Sequence, residues 1–121
     1  MADLKTVLGD YGADYERTMA RFMGSEDLYL KILAMLPRDG SLQTLEQALQ
    51  AEDRSAAFDA AHTLKGVAGN LGLAPLERVA RAIVEPLCAG APGEDYAVLF
   101  QAVKEEFERA AGLPELLKEV E

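Results

Sequence analysis

The chain has 121 residues, a length that fits one domain with one core, and we treat residues 1–121 as a single unit. Its 21 Asp and Glu outnumber its 12 Lys and Arg, and the net charge of -9 disfavours binding to nucleic acid or to anionic membrane surfaces. No run of about 18 apolar residues could span a membrane, and Met1–Lys5 lacks the basic start of a secretory signal, so a cytoplasmic protein is expected.

The chain has one cysteine, Cys88, and one histidine, His62, which excludes an internal disulfide and the usual zinc sites. We therefore expect no metal and no cofactor bound by this chain. Cys88 is predicted to be a small core side chain.

Apolar residues recur at helical spacing along the chain, and no useful stretch alternates with the period of two that marks a strand, so an all-α fold is predicted. In chain order, helices are expected at Ala13–Met23, from the N-cap Ser25 to Pro37, at Leu42–Ala51, Arg54–Leu73, from Ala74 to Pro86, and from Tyr96 to about Gly112, with Asp3–Leu8 a candidate for a further short helix.

Two features divide the C-terminal half of the chain. Pro86 is expected to end or kink its helix, and Cys88–Gly93 is the clearest loop in the sequence. Short connections favour antiparallel neighbours, so the predicted architecture is an antiparallel up-and-down four-helix bundle with additional short N-terminal helices.

The segment Arg54–Leu73 has two different faces when it is laid on a helix at about 100° per residue. One face is a core stripe formed by Ala57, Ala60, Ala61, Leu64, Ala68 and Leu71. The opposite face carries Phe58, His62, Lys65, Gly66, Gly69 and Leu73. Each glycine inside a helix costs about 1 kcal/mol relative to alanine, so two of them beside a histidine need a packing or a functional reason. Close approach by another protein would supply one.

The histidine face suits phosphoryl transfer. An exposed imidazole is largely neutral at pH 7, and its free ring nitrogen can attack phosphorus. The negative charge of a phosphohistidine would be offset by Lys65, three residues further along the same face. The sequence shows no phosphate-binding glycine loop, Mg²⁺ ligands or general acid near the motif, which predicts a carrier rather than a kinase.

The run His62-Thr63-Leu64-Lys65-Gly66-Val67-Ala68-Gly69-Asn70-Leu71-Gly72 resembles the signature of histidine-containing phosphotransfer (HPt) domains. That signature has a histidine, then Leu-Lys-Gly, a small residue two further on, and Leu-Gly near its end. A weaker resemblance covers Arg21–Tyr29, which is similar to the segment that opens the bundle in these domains.

The resemblance implies a role for each residue of the motif. His62 would be phosphorylated, Lys65 would assist the phosphoryl group, and Gly66 would permit close docking of a response-regulator receiver domain. The receiver would supply the phospho-accepting aspartate, an acidic pocket and Mg²⁺. The implied function is a phosphorelay intermediate whose partners are receiver domains and a sensor or hybrid histidine kinase.

Several alternatives stay open from the sequence. Phe58, Gly69 and Leu73 are candidates for the docking surface, although Phe58 and Leu73 could equally fold beneath a neighbouring helix. Arg78 and Arg81 could support a partner's acidic rim or be solvated. The chain could also be a receiver-binding module that transfers no phosphate, or a phosphoacceptor domain cut from a larger sensor kinase. A monomer is expected, because no long heptad run is present.

Overall fold

The computed structural model describes residues 3–90 and 95–118, and the regular elements in those ranges are all helical. The α-helices are α1 Leu4–Tyr11, α2 Tyr15–Arg21, α3 Glu26–Leu33, α4 Ser41–Gln50, α5 Arg54–Asn70, α6 Ala74–Ala89, α7 Tyr96–Ala111 and α8 Leu113–Lys118, with a 3₁₀ turn at Leu36–Arg38. The predicted all-α class is confirmed. In these ranges no helix is long and apolar enough to cross a membrane.

Polar side chains fix where the helices begin. Asp3, Asp14, Ser25, Asp53 and Asp95 each accept a hydrogen bond from the backbone N–H three residues on. Such N-caps satisfy one of the four N–H groups that a helix start leaves without a partner. The start of α5 is set in this way, because Asp53 Oδ1 accepts from the Ala56 N–H at 3.1 Å.

Helices α4 to α7 form the predicted bundle. Helix α5 packs most extensively on α6 and α4, α6 also packs on α7, and α4 meets α7 to close the ring. The connections 51–53 and 71–73 are too short for anything but antiparallel neighbours. One fully buried residue from each helix marks the shared core: Leu45, Leu64, Ile83 and Val103. Helices α5 and α7 therefore stand at opposite corners.

The end of α6 differs from the sequence-based expectation. The helix does not end at Pro86 but runs on to Ala89, and Gly90 closes it in the left-handed conformation with φ 65°. The longer helix buries Leu87 and places Cys88 on its exposed side, so the predicted core position of Cys88 is wrong. Residues 91–93 of the predicted loop lie outside the described residues.

The segment from α2 to α3 is tied to the C-terminal end of α5. The Arg21 guanidinium donates a hydrogen bond to the Gly69 carbonyl, and the Tyr29 hydroxyl donates to the Leu71 carbonyl at 2.7 Å. The Phe22 ring packs edge-on against Tyr29 with ring centroids 5.1 Å apart. These contacts hold the last turn of α5 against the N-terminal helices.

Replacing Tyr29 with phenylalanine is expected to destabilise the fold by about 1–3 kcal/mol, because it leaves the buried Leu71 carbonyl without its donor. Burial raises the pKa of the Tyr29 hydroxyl, which keeps it protonated as a donor. Urea denaturation would measure the loss. Tyr15→Phe is the control, since its hydroxyl contacts Glu26 at the surface. Equal stability of the two variants would contradict a structural role for the buried bond.

Candidate functional site

Helix α5 presents His62 to solvent on the side opposite its core stripe. The predicted core residues of this helix are buried, with Ala57, Ala61, Leu64 and Ala68 fully so, and Leu71 just beyond the helix end is buried as well. His62 and Gly66 are exposed, while Phe58, Lys65 and Gly69 are half-buried. The two faces therefore divide as the helical periodicity predicts.

The His62 imidazole has one aromatic neighbour, Phe58, one turn earlier on α5. Their ring centroids lie 5.7 Å apart with an interplanar angle of 39°. Among the described residues neither ring nitrogen of His62 has a hydrogen-bond partner or an ion pair. A nitrogen lone pair is thus available to an electrophile brought from outside. No group in the part of the chain that the structure describes hydrogen-bonds to the imidazole to act as its base.

Lys65 follows His62 by one turn of the same helix. Its side chain is half-buried, and within residues 3–90 and 95–118 no carboxylate pairs with its ammonium group. Side chains three apart on a helix are neighbours, with Cβ atoms about 5–6 Å apart. The uncompensated charge of Lys65 is therefore within reach of any anion that becomes attached to the His62 ring.

The two glycines of the histidine face have different surroundings. A methyl group at Gly66 would meet nothing within 4 Å, so packing inside this chain does not require glycine there. A methyl group at Gly69 would lie 2.7 Å from Glu77 Oε2 of α6. Gly69 thus lies against the flexible end of the Glu77 side chain, which can move aside, whereas Gly66 leaves open space beside His62.

The placement of Leu73 on the docking surface is wrong. Its side chain is fully buried, at 0 % exposure. Helix α5 ends at Asn70, and Gly72 then reverses the chain with φ 68°, so the helical period no longer applies three residues later. Leu73 instead precedes α6 as its N-cap residue and enters the core. Phe58, half-buried and beside the imidazole, keeps its place as a candidate contact.

The structure places residues of α2 beside the histidine face that the sequence did not predict there. Arg17 and Arg21 of α2 line a cleft of about 180 Å³ together with Gly69, Gly72 and Glu77. Arg21 and Gly69 are 48 residues apart in sequence, and no local pattern could have joined them. The weaker family resemblance at Arg21–Tyr29 marks this segment as one that opens the bundle, but it does not place the segment beside the motif.

Comparison with known protein families gives an independent observation. The family model described as Hpt domain matches residues 31–113. The match covers the four bundle helices and the whole motif from His62 to Gly72. Comparisons with curated proteins and with solved structures give no significant match.

Proposed function

The chain belongs to the Hpt domain family, whose members are phosphocarrier modules of phosphorelays, and on that basis we propose that it carries a phosphoryl group on His62. The observation that supports this most directly is the free imidazole of His62 beside the open space at Gly66. A reactive nitrogen that another protein can approach closely is what a carrier needs.

In the proposed reaction a ring nitrogen of His62 attacks the phosphorus of a receiver's aspartyl phosphate. The P–N bond forms as the P–O bond to the aspartate breaks, and the aspartate leaves as a carboxylate. The other ring nitrogen then releases its proton to solvent. The same steps reversed pass the group to a second receiver. Mg²⁺ is expected from the receiver, where it would neutralise the oxygens of the transferring group.

Lys65 and Gly66 have separate parts in this proposal. The Lys65 ammonium would donate a charge-assisted hydrogen bond to the phosphoryl oxygens, which favours the phosphorylated state of His62. Gly66 would allow the receiver surface to reach the imidazole. The chain's own residues thus bind and stabilise the group, and the acid and metal chemistry stays with the partner.

The test is phosphoryl uptake from a panel of radiolabelled, phosphorylated receiver domains in the presence of Mg²⁺. We expect label on the chain that is lost in acid and kept in alkali, as a phosphoramidate bond requires. Tight binding of receivers without any uptake would favour the interaction module. Labelling by an ATP-binding kinase domain, with none from receivers, would favour a phosphoacceptor domain of a sensor kinase.

Replacing Gly66 with alanine is expected to separate stability from transfer. The methyl group meets nothing in the chain, and removing a mid-helix glycine stabilises the fold by up to about 1 kcal/mol. The same methyl group projects towards the docking receiver, so the transfer rate should fall. Thermal unfolding and single-turnover transfer would be measured on the same sample. A stabilised variant with unchanged transfer would contradict the role given to Gly66.

A further inference from the structure

A group of positive side chains surrounds the C-terminal half of the histidine face. From α6, Arg81 Nη2 lies 3.6 Å from Glu77 Oε1, and Glu77 in turn reaches over Gly69. Helix α6 runs antiparallel to α5, so a step forward along α6 is a step backward along α5. Arg81 follows Glu77 by four residues, and Lys65 precedes Gly69 by four residues. Arg81 therefore stands at the level of Lys65, and its side chain is half-exposed.

Helix α2 contributes two further positive side chains, near Gly69. The Arg21 guanidinium is bound to the Gly69 carbonyl, and Arg17 lines the adjoining cleft. Both arginines are exposed, and in the part of the chain that the structure describes the Arg17 guanidinium has no acidic partner. We call Arg17, Arg21 and Arg81 the arginine cluster.

Positive side chains are concentrated at this end of the histidine face. The arginine cluster and Lys65 supply four cations, Asp14 and Glu77 lie among them, and Glu16 and Glu85 are the neighbouring acids on α2 and α6. The Asp14 carboxylate is already engaged, because Oδ1 accepts the Arg17 backbone N–H at 3.1 Å. Four positive side chains, of which Arg17 and Lys65 have no acidic partner among the described residues, thus form a patch at the end of the histidine face in a chain whose net charge is -9.

The patch lies within the area that a docked protein would cover. Gly69 follows His62 by seven positions, which corresponds to about 10 Å along the helix axis. A standard interface buries about 800 Å² on each partner, which corresponds to a disc of about 16 Å radius. A protein centred on His62 would therefore cover Lys65, Gly69 and the near side of the arginine cluster.

We propose that the arginine cluster binds the acidic surface around the phosphoacceptor aspartate of a receiver domain and orients that domain along α5, from His62 towards Gly69. The proposal rests on the proposed function. The partner site must hold an aspartate and further oxygen ligands for Mg²⁺, so its surface carries excess negative charge. Charge complementarity of this kind speeds encounter and fixes orientation more than it adds affinity.

The experiment compares two double variants with the same change in charge. Arg17→Glu/Arg81→Glu reverses the cluster, and Glu at position 17 falls in the first turn of α2, where a negative charge is favoured. Arg38→Glu/Lys104→Glu is the control, in the 3₁₀ turn and in α7, which pack together across the bundle from α5. Transfer rates from phosphorylated receivers would be measured from low to high ionic strength.

We expect the cluster variant to lose about tenfold or more in transfer rate at low salt, with a flatter salt dependence, and the control to stay within about twofold of the unmodified chain. Both variants should be phosphorylated normally at His62 by phosphoramidate, a small donor that needs no docking. Equal transfer by the two variants, or transfer by the unmodified chain that does not respond to salt, would overturn the proposal.

Failure of the proposed function gives a different result. In that case the unmodified chain takes no phosphoryl group from any receiver at any salt concentration. Receiver binding by the two double variants would then test the docking proposal independently of phosphoryl transfer. Weaker binding by the cluster variant supports an electrostatic docking surface, and equal binding contradicts it.

Discussion

Replacing His62 with glutamine is expected to abolish phosphoryl uptake from every receiver that phosphorylates the unmodified chain. Glutamine keeps a polar side chain of similar reach, but its amide nitrogen shares its lone pair with the carbonyl and does not attack phosphorus. Because the proposal gives this face one phosphoacceptor, His62, the loss should be complete rather than partial. Radiolabel from phosphorylated receivers and from phosphoramidate would both be followed.

The same change should have little effect on the stability of the fold. His62 is exposed, and its contact on this face is with the Phe58 ring, so the free energy of unfolding should move by no more than about 0.5 kcal/mol. Receiver binding is expected to persist. Acid-labile label on the glutamine variant would show that another residue accepts the phosphoryl group, and the role given to His62 would be wrong.

Replacing Gly72 with alanine should cost the fold about 3 kcal/mol, the largest expected loss of stability among the glycines of the motif. The residue has φ 68°, a conformation that costs an L-residue about 1–2 kcal/mol. An added methyl group would also overlap the Thr18 hydroxyl and lie 3.1 Å from Thr18 Cβ. Thr18 is itself buried, so it cannot turn aside without moving α2.

Substitutions at two other glycines distinguish the cost of backbone strain from the cost of the clash with Thr18. Gly24 has φ 76° with nothing within 4 Å, so Gly24→Ala measures backbone strain without a clash. Gly66→Ala introduces neither backbone strain nor a clash. Chemical denaturation should rank the losses as Gly72, then Gly24, with Gly66→Ala stabilised. Thr18→Ala introduced together with Gly72→Ala should recover part of the loss. A Gly72 variant no weaker than the Gly24 variant would contradict the close packing of Thr18.

Local patterns predicted the bundle well because its helices are short, capped and amphipathic. Asp53 and the alanine stripe of α5 act within a few residues, and their consequences follow from the helical period alone. Leu73 was misplaced because that period was continued beyond Asn70, where Gly72 turns the chain. Cys88 lies at the surface because α6 continues past Pro86 for another turn, which buries Leu87 and leaves Cys88 on the exposed side of the helix.

The candidate site was predictable only in part. His62, Lys65 and Gly66 lie within five residues of one another, so the sequence shows them on one face directly. The different surroundings of Gly66 and Gly69 could not be predicted from the sequence, because Glu77 of α6 and Arg21 of α2 reach Gly69 from distant segments. Contacts between distant segments are set by tertiary packing, which no helical pattern encodes.

The contacts between the α2–α3 segment and α5 also show that the family match and the packed structure begin at different residues. The family pattern begins at residue 31, yet Arg21 and Tyr29, which hold the carbonyls of Gly69 and Leu71, come before it. Core side chains such as Leu8 and Met19 come before it too. The part of the chain that packs together is therefore longer than the part that matches the family pattern. Trimming the chain to the recognisable part would fray the end of the helix that carries the histidine, even though every residue of the motif would remain.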